Sequence, residues 1–587
     1  MKKKKSALVL FSANFPWHTK SWWRGFEVVI APKELEHKIK ERGINFLCLE
    51  EFIEPGSIYE ASTLLEELSY LKLATGSRIT KVAIYQGYEL WWIHYDNLFH
   101  YFCLPYTQYK KLLKYLSNFQ NVSLYDVPFK GLFSCYLKAY KSRINIVKKF
   151  TIKSPSFFPL GIFFQILITS LSLPILIIKR KPIMVFTGDK FEKFKDYDFR
   201  MSFIYSELRK RNIFFVEFIR SLETWQKVLY HAFIRRRLVI YPESITFVGR
   251  FISFITGGRR RANHEFGFQS FSDEEDPEIK FKLLVATQYL LGLYDDIWAI
   301  KITKIILNII GVKVSFITAA VERNFHAVIG CKLNEIPIIG ILHGVASCYY
   351  NGYEFLPGFD GKKSLSVDKY GVWSKWWRDY FLTHGKAYKA EQIEVSGPMR
   401  PVFPISDISF DYKKEAKDIT RVLFISEEVA VPQEVLPYLN ELLKCRNIDL
   451  TIKFRPYRDG FENWLLKNEP NILKSNHLKI VKNNMQEAIK DCDVTVGSYS
   501  TAVLEAFAQL KVPIFFRTQK WGDYYDIKEY NKENSFFAEN PQELISKIKK
   551  THFISLITLK NLRERYFGDP SLNGSKWVVD QMEYYLR

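Results

Sequence analysis

Ser498, Ser500 and Thr501 fall within a few residues of one another, between the apolar run Val494-Thr495-Val496 and the helix-forming stretch Ala502-Val503-Leu504-Glu505-Ala506. The order reads as a strand end, a short hydroxyl-rich turn, a helix start and, at residues 512–513, another strand. The first N–H groups of a helix have no intrahelical partner and sit at its positive end, so with the neighbouring hydroxyls they suit a phosphate. Gly497 leaves room for close backbone approach, and Glu505, about one turn in, is placed to hold a ribose hydroxyl. The same serines and threonine would equally serve as ordinary helix caps.

Other reactive residue types cluster at predicted strand ends. His343 follows the apolar strand 337–342, where a neutral imidazole can take a proton from an attacking hydroxyl, and Gly344 after it permits close approach. Glu322, beyond the strand 312–318, stands where it would orient or replace that base, or simply charge a helix start. Lys453, Arg455 and Arg458 surround the end of the strand 449–454, with Pro456 to hold the loop, and Arg400 follows Gly397-Pro398. Fixed cations at these places would neutralise a diphosphate, with surface ion pairing as the alternative. Ser426, with Glu427 and Glu428 after the strand 421–425, is the matching loop for the same ligand, and Glu427 is an alternative carboxylate base. Asp491-Cys492-Asp493 is an Asp-x-Asp match, but no cluster of His or carboxylate ligands accompanies it, so no catalytic metal is expected.

The elements that must position these residues read as α/β. Strands are predicted at 7–11, 82–85, 121–125, 182–189 and 213–218, a long helical stretch at 280–310, and strand-helix-strand at 312–342. A second such series runs from 421 to 516, closed by a helix at 541–549. Short crossovers of this kind make parallel pairs and gather their loops at the carboxyl edge of the sheet. Four units are expected: residues 1–150, an α/β domain of unassigned role; 151–181, an apolar membrane-associated segment; and two α/β domains, 182–396 and 397–587, facing a cleft.

The 587 residues hold 84 Lys and Arg against 63 Asp and Glu, a net charge of +21. That balance favours an anionic partner: nucleic acid, a lipid surface or a phosphorylated substrate. The cations are spread through all regions and no nucleic-acid motif occurs, so no nucleic-acid partner is expected. The seven cysteines show no CxxC spacing, which argues against a zinc site or disulfide framework and fits a reducing cytoplasm. Residues 157–178 carry no charge and are flanked by basic residues on both sides, which favours both ends staying cytoplasmic. Pro159, Pro174, Gln165, Thr169, Ser170 and Ser172 interrupt the run. A broken or in-plane membrane element is favoured over a span or a buried core helix. Arg235-Arg236-Arg237 and Arg259-Arg260-Arg261 are candidate contacts to anionic head groups, and the paired tryptophans Trp22-Trp23, Trp91-Trp92 and Trp376-Trp377 are candidates for sugar stacking or for core packing.

The run Ile338-Ile339-Gly340-Ile341-Leu342-His343-Gly344, then Tyr370-Gly371-Val372-Trp373, Val395-Ser396-Gly397-Pro398, Lys453-Phe454-Arg455-Pro456 and Ser498-Tyr499-Ser500-Thr501 with Glu505-Ala506, occur in order. Together they resemble the GT-B glycosyltransferases of bacterial surface-polysaccharide assembly: capsule Kdo transferases, polysialyltransferases and teichoic-acid glycerophosphotransferases. The resemblance covers roughly residues 310–550. It implies two Rossmann-like domains, a nucleotide-sugar donor on the second, an acceptor on the first, and transfer without metal or cofactor. His343-Gly344 would be the family's base motif and Ser498, Ser500 and Thr501 its phosphate segment. Arg455-Pro456 replaces the usual His-Pro, and an arginine there binds phosphate but cannot protonate a leaving group. The expected reaction moves a sugar to a hydroxyl of a lipid-linked or growing surface glycan at the inner face of the cell membrane. Its rivals are a CDP-linked polyol-phosphate transferase, a nucleotide-sugar 2-epimerase and a non-catalytic assembly scaffold.

Overall fold

The computed structural model describes residues 5–587 apart from 16–24, 55–57, 74–75, 148–156, 180–182, 189–200, 221–224, 235–236, 267–273, 319–324, 343, 345–346, 349–354, 356–358, 360–366, 401–418, 428–430, 456–458, 483–484, 519–521 and 531–533. Three all-parallel sheets follow one another along the chain. The first joins β1 (Ser6–Leu10), β2 (Val28–Ala31), β3 (Phe46–Cys48), β6 (Asn121–Tyr125) and β7 (Arg143–Val147) in the order β3-β2-β1-β6-β7, with β4 (Ile84–Tyr85) and β5 (Tyr88–Glu89) as a separate hairpin. The second joins β8 (Ile183–Gly188), β9 (Phe215–Arg220), β10 (Val239–Ile240), β11 (Val314–Thr318), β12 (Ile338–Ile341), β13 (Lys369–Val372) and β14 (Ile393–Val395) in the order β10-β9-β8-β11-β12-β13-β14. The third joins β15 (Thr420–Ile425), β16 (Ile448–Lys453), β17 (Leu478–Val481), β18 (Val494–Gly497), β19 (Val512–Phe516) and β20 (Phe537–Ala538) in the order β17-β16-β15-β18-β19-β20.

Each order reverses once, beside its first strand, which is the doubly wound Rossmann arrangement. The physical cause is visible in the strands themselves: β12, β18 and β19 are buried along their whole length, as strands covered by helices on both faces must be. The second and third sheets thus give two Rossmann-like domains, and the first adds an N-terminal α/β domain.

Several elements differ from the sequence reading. Residues 79–82 form a short helix, and only Ile84–Tyr85 pairs, in the hairpin. The helical stretch 280–310 is two helices, Pro277–Leu290 and Leu293–Ile310, broken at Leu291-Gly292. Asp276 caps the first by accepting from Glu278 and Ile279 N–H. Helix Gly574–Leu586 packs not on the third sheet but on the second, where Val578, Val579 and Met582 share a core with Val314 and Phe316 of β11 and Ile339 and Ile341 of β12. The chain therefore crosses between these domains twice. Trp91, Trp92 and Trp377 are core residues, as the packing alternative requires, while Trp22-Trp23 lie outside the described residues. Arg237 is not a surface cation: it is buried in a bidentate pair with Glu217, at 2.9 and 2.7 Å. Arg235 and Arg236 lie outside the described residues.

The first domain is tied to the second through the two helices at 277–310. Tyr106 and Tyr140 hydroxyls donate to Glu278, Lys282 pairs with Glu67, and the buried Asp296 receives His94 Nε2 at 2.6 Å and His326 Nε2 at 2.9 Å. Burial works against the Asp296 charge, but the two imidazoles outweigh it and hold the carboxyl below its usual range.

Candidate functional site

The third sheet reverses between β15 and β18, and the register there decides which residues meet. Phe424 lies opposite Val496 and Ile425 opposite Lys453. The loops that follow the three strands therefore emerge side by side at the carboxyl edge, the place where open α/β sheets bind ligands.

Glu427, two residues beyond β15, reaches across to the turn after β18. Its Oε1 accepts three consecutive backbone N–H groups, from Ser498 at 2.9 Å, Tyr499 at 2.8 Å and Ser500 at 2.7 Å, while Oε2 accepts the Ser498 hydroxyl. Three successive N–H groups converging on one oxygen form a nest for an anion. Burial pushes the Glu427 carboxyl up to about 7, against the four hydrogen bonds that favour its charged form. Gly497 makes the approach possible: a Cβ there would lie 2.5 Å from Val503 Cγ2 and 3.2 Å from Glu427 Oε1. Ser500 also caps the short helix Thr501–Leu504 by accepting from Ala502 N–H, and the half-buried Thr501 opens that helix. Tyr525 hydroxyl donates to Tyr499 O and braces the turn from behind.

The neighbouring loop is organised by Asp459, which the sequence reading misses. Its carboxylate accepts from Ser426 Oγ, Glu462 N–H and Arg455 N–H, each at 2.9 Å. An Asp followed three residues later by Glu before an apolar helix is a cap signature that would have marked it. Arg455 is thereby fixed by its backbone N–H in the loop after β16 and is exposed, while Pro456 and Arg458 lie outside the described residues. Ser426 is buried and spends its hydroxyl on Asp459, and Lys453 is buried with its ammonium donating to Phe454 O and Lys482 O.

Glu505 and Arg400, read separately in the sequence, meet in the structure as an ion pair. The other Glu505 oxygen accepts from Gln486 Nε2 at 2.6 Å, and Gln486 in turn is held by Gln509. Burial raises the Glu505 carboxyl, with Arg400 and Gln486 opposing. Since Arg400 lies on the connection from the second domain to the third, this pair fixes that connection to the floor of the site.

On the second sheet, His343 and Glu322 lie outside the described residues. The strand that leads to His343 is firmly held: Leu342 N–H donates to Gly371 O at 2.8 Å, and Leu342 O accepts Trp373 Nε1 at 2.7 Å. Gly344 is half-buried, and a Cβ there would meet nothing within 4 Å. The described geometry thus amounts to an anion seat after β18, with an exposed arginine in the loop after β16 on the same sheet edge.

No family model matches the chain, and no curated protein matches it by sequence. Similar solved structures include the UDP-GlcNAc 2-epimerase of Methanocaldococcus jannaschii, at 11% identity and TM-score 0.39 over 68% of this chain and 99% of that one. A glycosyltransferase from Rickettsia africae is similar at 12% identity and TM-score 0.40, over 69% and 98%. Anabaena HepE in complex with UDP and glucose is similar at 10% identity and TM-score 0.37, over 69% and 99%. At these values the likeness is one of general shape.

Proposed function

We propose that this chain is a glycosyltransferase that moves a sugar from a nucleotide-sugar donor to a hydroxyl of a lipid-linked or growing surface glycan, without a metal, at the cytoplasmic face of the membrane. The observation that carries the reading is the nest of Ser498, Tyr499 and Ser500 N–H groups at the reversal point of the third sheet, already closed on an anionic oxygen. A donor phosphate is the larger anion of the same hydrogen-bonding type, and on entry it displaces the Glu427 carboxylate. Arg455, exposed on the same sheet edge two strands over, is assigned the charge that stabilises the diphosphate as it leaves. His343, following a strand of the facing sheet, is assigned as the base for the acceptor hydroxyl, with Glu322 in support.

The test is thermal stabilisation of the purified full chain by CMP, CDP, UDP, GDP and dTDP, with Arg455→Ala and Glu427→Gln alongside. A ligand at 100 times its dissociation constant adds about 2.7 kcal/mol. One nucleotide is expected to stabilise the wild type, Arg455→Ala to weaken that effect, and Glu427→Gln to strengthen it by removing the competing charge. A well-folded protein that none of the five stabilises would overturn the donor-site reading.

A further inference from the structure

The helix Phe157–Lys179 turns a polar stripe inward. Gln165, Thr169 and Ser172, spaced four and three apart, are buried against the second domain together with Ile168 and Leu176, and Thr169 Oγ1 accepts from Tyr241 N–H at 3.1 Å and Ser244 Oγ at 3.2 Å. On its outer side Phe163, Leu171 and Ile178 are 59%, 54% and 83% exposed. Helix Pro242–Ile255 packs alongside and repeats the pattern. Its inward residues are Ser244, Ile245, Gly249 and Ser253, with Gly249 so close to helix Leu293–Ile310 that a Cβ would lie 2.9 Å from Ala299 N. Its outward residues are Phe251, Phe254 and Ile255, at 58%, 81% and 66% exposed. A helix on a protein in water shows the opposite distribution. Two adjacent helices that spend much of their inward faces on small and polar side chains and leave a continuous set of large apolar ones outward present a face suited to an apolar medium.

The charges at the edge of this face choose the medium. Three residues after Ile255, helix Gly258–Phe266 sets Arg259, Arg260 and Arg261 exposed, and Arg250 is exposed on the aromatic helix itself. A second copy docking by two-fold symmetry would bring like charges together across the contact. Anionic lipid head groups would instead pair with them. We propose that this face docks on an anionic bilayer, with helix 157–179 lying in the plane of the interface. At 23 residues the helix is long enough to cross. Crossing, however, would draw Gln165, Thr169 and Ser172 away from their protein partners into hydrocarbon. The proposal stands independently of the donor nest, which lies in the third domain.

The test is vesicle flotation of the full chain with phosphatidylcholine alone and with added phosphatidylglycerol. Two variants accompany it: Phe251→Gln with Phe254→Gln, and Arg259→Glu with Arg260→Glu and Arg261→Glu, each checked for an unchanged melting curve. The wild type is expected to float with the anionic vesicles and to be released by alkaline carbonate. The phenylalanine variant should lose on the order of tenfold or more in partitioning on both compositions. The arginine variant should lose roughly a hundredfold on the anionic vesicles alone, at about fivefold per arginine. The proposal fails if the wild type floats with neither composition, if the variants float as it does, if carbonate leaves it in the vesicles, or if the phenylalanine variant converts a soluble dimer to monomer.

Discussion

Glu427→Gln isolates the balance on which the nest depends. The carboxyl rises from an ordinary 4.5 to about 7 in the fold, so between these values the native state holds a proton that the unfolded state has lost. Its contribution to stability is therefore fully present below 4.5 and is lost as pH rises through about 7. The interval from 4.5 to about 7 corresponds to roughly 3 kcal/mol. Glutamine keeps a carbonyl oxygen for the three N–H groups and does not titrate. The variant and wild type should match near pH 5, and near pH 8 the variant should be more stable by about 3 kcal/mol, roughly 6–12 °C in the melting of a domain this size. Parallel thermal unfolding at closely spaced pH values measures the difference directly. A wild type that instead gains on the variant as pH rises would refute this balance, because the nest would then hold the anion more strongly than burial opposes it.

Gly497→Ala should destabilise the third domain by about 1–3 kcal/mol in urea unfolding, because the added methyl meets Val503 and the Glu427 carboxylate. Arg400→Ala leaves the buried Glu505 with Gln486 alone, and should cost about 3 kcal/mol at neutral pH. Since burial is then opposed only by the Gln486 hydrogen bond, that loss should shrink in acid, a trend readable by thermal melting at pH 5 and pH 8. Asp296→Asn should loosen the first domain from the second, seen as faster proteolysis between them, at a cost of about 3 kcal/mol. Because the Asp296 carboxyl is held below its usual 3.8, the wild-type advantage is present above that value and fades as pH falls beneath it.

The third domain is the most legible in sequence at β15, β16, β18 and β19, which carry apolar runs separated by helical stretches, whereas the short β17 and β20 escape the sequence reading. The first domain hides β2 and β3, which are only four and three residues long, and offers Val82 to Tyr85 as a strand where tertiary context makes a helix end and a hairpin arm. Ser498, Ser500 and Gly497 are readable because a turn of that composition has few uses. The partner that fills the turn is not, since Glu427 is 71 residues away and only the β15 to β18 pairing brings it there. Glu505 and Arg400 are each legible as charged residues and not as a pair, for the same reason. In residues 157–178 the polar side chains read as interruptions of an apolar run. The spacing of four and three in Gln165, Thr169 and Ser172, which puts them on one stripe, is the signal for an inward face.

The return of helix Gly574–Leu586 to the second sheet sets a schedule for biogenesis. Val314, Phe316, Ile339 and Ile341 lack the cover of Val578, Val579 and Met582 until residues 574–586 have left the ribosome. At roughly 5–20 residues per second, the interval from Ile341 to Leu586 is on the order of tens of seconds. During that time a hydrophobic strip of the middle domain stands bare, and a ribosome-bound chaperone has its clearest reason to hold this nascent chain.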